Sequence, residues 1–119
     1  MDASVGIQLF INGPLSPAVH ALFARLTDEP PVRLYVPDLF YIEITNVLWK
    51  YVRWQGLAVE QAQDYLYQLG RLALHAAPTS DLMSDALAQA TINNMTAYDA
   101  CYLALAERLD LPLIYQSKA

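Results

Sequence analysis

The chain has 119 residues, of which 55% are hydrophobic and 16% are charged, and its formal net charge is −5. This length suffices for one domain with one core, so we predict a single domain over residues 1–119. The composition excludes a disordered chain, and the negative charge argues against broad nucleic-acid binding through phosphate contacts alone.

The same composition bears on compartment and partners. The single cysteine, Cys101, rules out an intramolecular disulfide and favours a reducing cytoplasm. We predict no transmembrane helix and no signal peptide, because polar residues, Pro or Gly interrupt the apolar stretches and the N-terminus lacks a basic region. The surplus of apolar residues suggests an oligomer or a protein partner.

Taken in chain order, the pattern predicts short strands that alternate with helices. Residues 2–10 resemble the end of a buried strand running into a turn or helix. Ser16 and Pro17 predict the start of a helix that extends to about Thr27. The remaining predicted elements are a strand over 32–36, a helix to Trp54 capped by Asp38, a helix over 59–70, a strand over 72–76, a helix over 81–93 capped by Thr79 or Ser80, a helix over 97–109 and a strand over 111–115.

This alternation indicates an α/β fold, a three-layer α/β/α arrangement with a short central parallel sheet and helices on both faces. In such sheets, binding sites form at the carboxyl ends of the strands. Asp2 would lie at such an end, and Asp99 begins the helix that precedes the last predicted strand.

Two further acids allow two interpretations each. Thr96 followed three residues later by Asp99 is a capping box, so Asp99 could serve only to start its helix. Glu43 lies on the polar stripe of a very apolar helix, with Lys50 and Arg53 as neighbours, which is typical of a solvated face. The functional alternative is that both acids, together with Asp2, line a cleft and hold a divalent metal ion. The sequence leaves both interpretations open.

Together, these residues resemble the PIN domain, and within it the VapC-type toxin ribonucleases of toxin–antitoxin pairs. The resemblance extends over essentially the whole chain. It rests on three blocks, which are residues 2–5, residues 36–48 and residues 96–106 with the following 111–114.

The resemblance implies a site, an activity and partners. Asp2, Glu43 and Asp99 match the metal-binding catalytic acids of the family. The accompanying polar residues of the family are matched by Ser4, Asn46 and Thr96. The implied activity is a Mg²⁺- or Mn²⁺-dependent endoribonuclease that hydrolyses RNA phosphodiester bonds. The implied partners are the RNA substrate, a small antitoxin and a second copy of the chain in a homodimer.

One departure from the family pattern supports a second hypothesis. The family usually carries a Thr-x-Asp segment after the last strand, whereas Tyr115 and Ser117 stand at these positions here. By analogy with outer ligands, the loss of a fourth acid would weaken metal binding by roughly 10–100-fold. The chain could therefore be a catalytically impaired PIN-fold protein that acts by binding an antitoxin or a homologue.

Other chemistries fit the sequence less well. His20 and His75 are isolated from cysteines and from each other, which argues against a zinc site. The four scattered glycines form no phosphate-binding loop. A phosphoacceptor receiver domain would need adjacent acids after one strand and a lysine after the last, which Lys118 matches poorly. The aromatic cluster of Trp49, Tyr51 and Trp54 suggests core or a dimer interface.

Overall fold

The computed structural model describes residues 1–113 of the chain. Within them, six α-helices surround a two-stranded sheet. The helices are α1 (Ala3–Gly6), α2 (Ser16–Ala24), α3 (Leu39–Trp54), α4 (Val59–Gly70), α5 (Met83–Asn93) and α6 (Ala97–Leu109), and the strands are β1 (Tyr35–Pro37) and β2 (His75–Ala77). Short 3₁₀ turns follow α1 and α2 and precede α5.

The two strands pair in parallel, with Val36 opposite Ala76. Their carboxyl ends are joined beyond the ladder, because the Asp38 amide donates to the Ala77 carbonyl at 2.8 Å. The Asp38 side chain accepts from the Thr79 amide at 3.1 Å. Asp38 thus occupies the N-cap position of α3 without capping it through its side chain. A parallel sheet with helices around it confirms the α/β, PIN-like fold.

Several elements differ from the sequence prediction. No strand precedes Tyr35 in the described part of the chain, and the run after Asp2 is helical from its first residue. Residues 111–113 are not a strand, and the remainder of the predicted last strand lies outside the described residues. Ser16 is the first residue of α2 and not its cap, because its hydroxyl donates to the Gln8 carbonyl at 2.8 Å.

Two apolar clusters hold the fold together. The larger one joins α1, α2, β1, α3 and α4 around residues that are completely buried, such as Phe40 and Ile44. The smaller cluster lies between α5 and α6 and contains Leu82, Ala86, Ala100, Cys101 and Leu105. Helix α6 belongs to both clusters, since its Tyr102 packs in the larger one. None of the helices within residues 1–113 combines the length and apolar character needed to span a bilayer.

Candidate active site

One cavity, of about 1030 Å³, lies between the start of α1, one face of α3 and the start of α6. Five of the six predicted site residues line it, namely Asp2, Ser4, Glu43, Asn46 and Asp99. The other described lining residues are Ala3, Ile42, Thr45, Val47, Trp49, Lys50, Tyr98 and Tyr102. The three sequence blocks are therefore brought to one place by the fold.

Asp2 is positioned by the local structure of the N-terminal segment. Its Oδ1 atom accepts from the Val5 amide at 3.1 Å, which makes Asp2 the N-cap of α1. The Ser4 hydroxyl donates to the same oxygen at 2.7 Å. The Met1 nitrogen lies 3.5 Å from the Tyr35 carbonyl and so joins this segment to β1. Asp2 therefore lies beside the sheet although no strand carries it.

Glu43 lies on the polar stripe of α3. Asn46 and Lys50 follow it at spacings of three and seven residues, which places all three on the same helix face. Glu43 is half-buried, and its Oε1 atom accepts a hydrogen bond of 2.6 Å from the Tyr102 hydroxyl. Glu43 therefore lines a cavity and has a hydrogen-bond partner on α6. The solvated-face interpretation predicts instead that Glu43 projects into solvent beside Lys50 and Arg53.

Asp99 lies in the first turn of α6, and the capping interpretation holds for the start of this helix. The Asp99 amide donates to the Thr96 Oγ1 atom at 3.2 Å, so Thr96 is confirmed as the N-cap. Thr96 is the one predicted site residue absent from the described lining of the cavity. Because the cap uses the backbone of Asp99, the exposed carboxylate is left to line the cavity.

The charges around the cavity are unbalanced. Among its described lining residues, Asp2, Glu43 and Asp99 contribute three carboxylates and Lys50 contributes the one cation. Within residues 1–113, no three acids, histidines or cysteines are close enough to form a metal-holding group as they stand. Carboxylates without a cation repel one another, which is a physical reason for them to stand apart. That these acids bind metal stays a prediction.

Tyr102 is a site residue that the sequence analysis missed. It follows Asp99 by three residues and therefore lies on the same side of α6, but an apolar helix makes such a tyrosine look like core. Burial raises the pKa of its hydroxyl, and the hydrogen bond to Glu43 and the charges of Glu43 and Asp2 raise it further. Tyr102 thus stays protonated and donates to Glu43.

Cys101 is buried in the smaller cluster, next to Tyr102 in α6. Burial raises the pKa of its thiol, and the charges of Glu43 and Asp38 add to this effect. Because the thiolate is the reactive form, we expect Cys101 to react far more slowly with a disulfide reagent in the native protein than in urea. Absorbance of the released chromophore measures both rates, and equal rates would contradict this placement.

The aromatic residues at the end of α3 correct one interpretation. The rings of Trp49 and Trp54 pack edge to face, with centroids 5.2 Å apart. They are 52% and 62% exposed, which contradicts the core interpretation, whereas a dimer interface stays a prediction. Trp49 also reaches the cavity and gives it an aromatic rim.

Comparison with known proteins finds a relative of this chain. The chain is 36% identical over 78 residues to Ribonuclease VapC3 of Pyrobaculum aerophilum, which covers 64% of this chain and 60% of that protein. No family model matches the chain. The chain thus spans less than two thirds of the length of the relative it matches. Over this part of its length the chain is similar to a VapC-type ribonuclease, and its α/β fold gathers the three site blocks on one cavity.

Proposed function

We propose that the chain is a divalent-metal-dependent endoribonuclease of a toxin–antitoxin pair. The observation that carries this proposal is the single cavity lined by Asp2, Glu43 and Asp99 with Ser4 and Asn46. The relative named a ribonuclease supports the same reaction class.

The donor set of this cavity fits Mg²⁺ or Mn²⁺. Both are hard cations that prefer oxygen ligands, and Mg²⁺ keeps several waters, so a few carboxylates from different elements suffice. Asp2, Glu43 and Asp99 would hold the ion. Ser4, through its bond to Asp2, and the neutral Asn46 would orient ligands or waters without adding charge. When bound, the metal polarises the phosphate and lowers the pKa of a water molecule.

The test separates binding from catalysis. Mn²⁺ is titrated calorimetrically into the purified protein, and RNA cleavage is then assayed with and without Mn²⁺ or Mg²⁺. Saturable binding and metal-dependent cleavage are expected, and chelation should abolish the cleavage. A protein that binds no Mn²⁺ would contradict the proposal whatever RNA is offered.

Lys50 is expected to contact the RNA backbone. Its ammonium is exposed on the cavity wall, two helical turns from Glu43, so a phosphate drawn to the metal would lie near it. Lys50→Gln should raise the KM for RNA by up to about five-fold, as expected for an exposed ion pair. It should also reduce the salt dependence of binding by about one phosphate contact, a slope change of roughly 0.7.

Arg53→Gln is the matched control for Lys50→Gln. Arg53 is exposed on the same helix, three residues further on, and is not among the described residues that line the cavity. We expect Arg53→Gln to leave KM and the salt slope near their wild-type values. Equal effects of the two substitutions would indicate a long-range charge effect and would contradict a local contact at Lys50.

The proposal extends to partners and location. As in the family it resembles, the protein would form a homodimer, bind a small antitoxin and act in the cytoplasm. Light scattering of the purified protein tests the dimer.

A catalytically impaired protein that acts through protein binding is the second candidate. It is favoured by the absence, within residues 1–113, of a ready metal-holding group. The positions of Tyr115 and Ser117, where a fourth acid is missing, lie outside the described residues. Metal-dependent RNA cleavage by the purified protein would exclude this candidate.

A further inference from the structure

The hydroxyl of Tyr102 connects two of the elements that form the cavity. It donates to the Oε1 atom of Glu43 at 2.6 Å, and this contact joins α6 to α3 across 59 residues of sequence. Tyr102 lines the cavity although its side chain is buried, with 5% of the residue exposed. The Tyr102 end of the bond is buried and the Glu43 end is half-buried, so the bond ties a packed side chain of α6 to a cavity-lining side chain of α3.

The bond is of a strong type. A hydroxyl that donates to a carboxylate at this distance forms a charge-assisted hydrogen bond, which is roughly twice as strong as a neutral one. A phenol ionises only near pH 10, at about its ordinary pKa, so the Tyr102 hydroxyl is a donor at neutral pH. Asp2 lines the same cavity as Tyr102 and Glu43.

A glutamate side chain on a helix surface has several rotatable bonds, and its freedom must be lost before it can ligate an ion. Tyr102 holds one carboxylate oxygen of Glu43 from the buried side of the cavity. We propose that Tyr102 is a positioning residue, which fixes the Glu43 carboxylate in the orientation that binds a divalent cation. This inference rests on the metal-dependent function proposed above.

A purely structural role for Tyr102 predicts something different. A brace between α3 and α6 would change the free energy of unfolding and leave the intrinsic metal affinity of the folded protein unchanged. If the Tyr102 hydroxyl instead competed with the metal for the Glu43 oxygen, removal of the hydroxyl would tighten metal binding. A positioning role predicts weaker binding in a protein that is still folded.

The experiment is a calorimetric Mn²⁺ titration of the wild type and of Tyr102→Phe, both shown to be folded by circular dichroism and thermal midpoint. We expect Tyr102→Phe to bind Mn²⁺ about 10-fold more weakly, as for the loss of an outer-shell partner of a ligand. The control is Tyr98→Phe, which removes a hydroxyl from an exposed tyrosine one turn earlier on the same cavity wall and should keep the wild-type affinity. If Tyr102→Phe does not fold, Tyr102→Met, which keeps the apolar bulk, replaces it.

Each outcome decides a separate question. Equal or tighter Mn²⁺ binding by Tyr102→Phe overturns the positioning role while the proposed function stands. Equal weakening by Tyr98→Phe overturns it as well, because the effect would then not depend on the bond to Glu43. A wild type that binds no Mn²⁺ overturns the proposed metal site, and the positioning role with it.

Discussion

Asp99→Asn is expected to abolish Mn²⁺ binding and metal-dependent RNA cleavage while leaving the fold intact. The substitution is nearly isosteric, but it removes the charge that a hard cation requires from its ligand. The cap of α6 survives, because the bond to Thr96 uses the backbone amide of residue 99. Loss of a negative charge in the first helical turn should cost about 0.3–1 kcal/mol of stability. Calorimetry and thermal unfolding measure the two effects separately.

Glu60→Gln is the control for this experiment. Glu60 is also an exposed acid in the first turn of a helix, α4, and it is absent from the described cavity lining. It should show a similar small loss of stability with unchanged Mn²⁺ affinity. If Asp99→Asn also keeps its Mn²⁺ affinity, Asp99 serves only to start α6.

Gly6→Ala is expected to destabilise the protein by about 1–3 kcal/mol, the usual range for overpacking. A Cβ atom at Gly6 would lie 2.6 Å from Cζ and 2.7 Å from Cε2 of Phe40. Phe40 is completely buried, so its ring cannot swing aside without disturbing the larger cluster. The substitution should therefore push α1 away from α3. Because Asp2 and Ser4 belong to the start of α1, Mn²⁺ affinity should fall together with stability.

Gly70→Ala provides the matched comparison. Gly70 is the last residue of α4, and a Cβ atom there would meet nothing within 4 Å. Alanine at such a position should be neutral or stabilise by about 0.4–1 kcal/mol. Urea midpoints of both variants and Mn²⁺ titration of Gly6→Ala measure the difference. If Gly6→Ala proves as stable as Gly70→Ala, the close approach of α1 to Phe40 does not constrain the fold.

The elements that could be predicted are those that local chemistry determines. Helix α4 runs over residues 59–70 as predicted, because its apolar residues repeat with a helical period and Gly56, with φ of +73°, breaks the chain before it. Helix α6 begins after Thr96 as predicted, because a capping hydroxyl acts within one turn. Helical periodicity likewise predicts the polar stripe of α3 that carries Glu43.

Features set by distant contacts could not be predicted. The sequence after Asp2 predicts the end of a strand, but its apolar run fits a buried strand and a buried helix alike. The sequence also predicts Ser16 as a cap, but its hydroxyl donates to the Gln8 carbonyl eight residues away. The role of Tyr102 depends on Glu43, which is 59 residues away in sequence and is brought within reach only by the tertiary fold. Its spacing of three residues from Asp99 was the one available signal.

The membership of α6 in two apolar clusters has a consequence for the dynamics of the protein. Asp2 and Glu43 belong to the unit around the larger cluster, whereas Asp99 is held on a helix that also packs with α5 in the smaller one. Units of this kind can open separately from the rest of a fold, on the timescales that amide hydrogen exchange detects. An ion shared by all three acids would favour the closed arrangement by about 2.7 kcal/mol at a concentration 100 times its Kd. The supply of metal would then govern how often α5 and α6 detach.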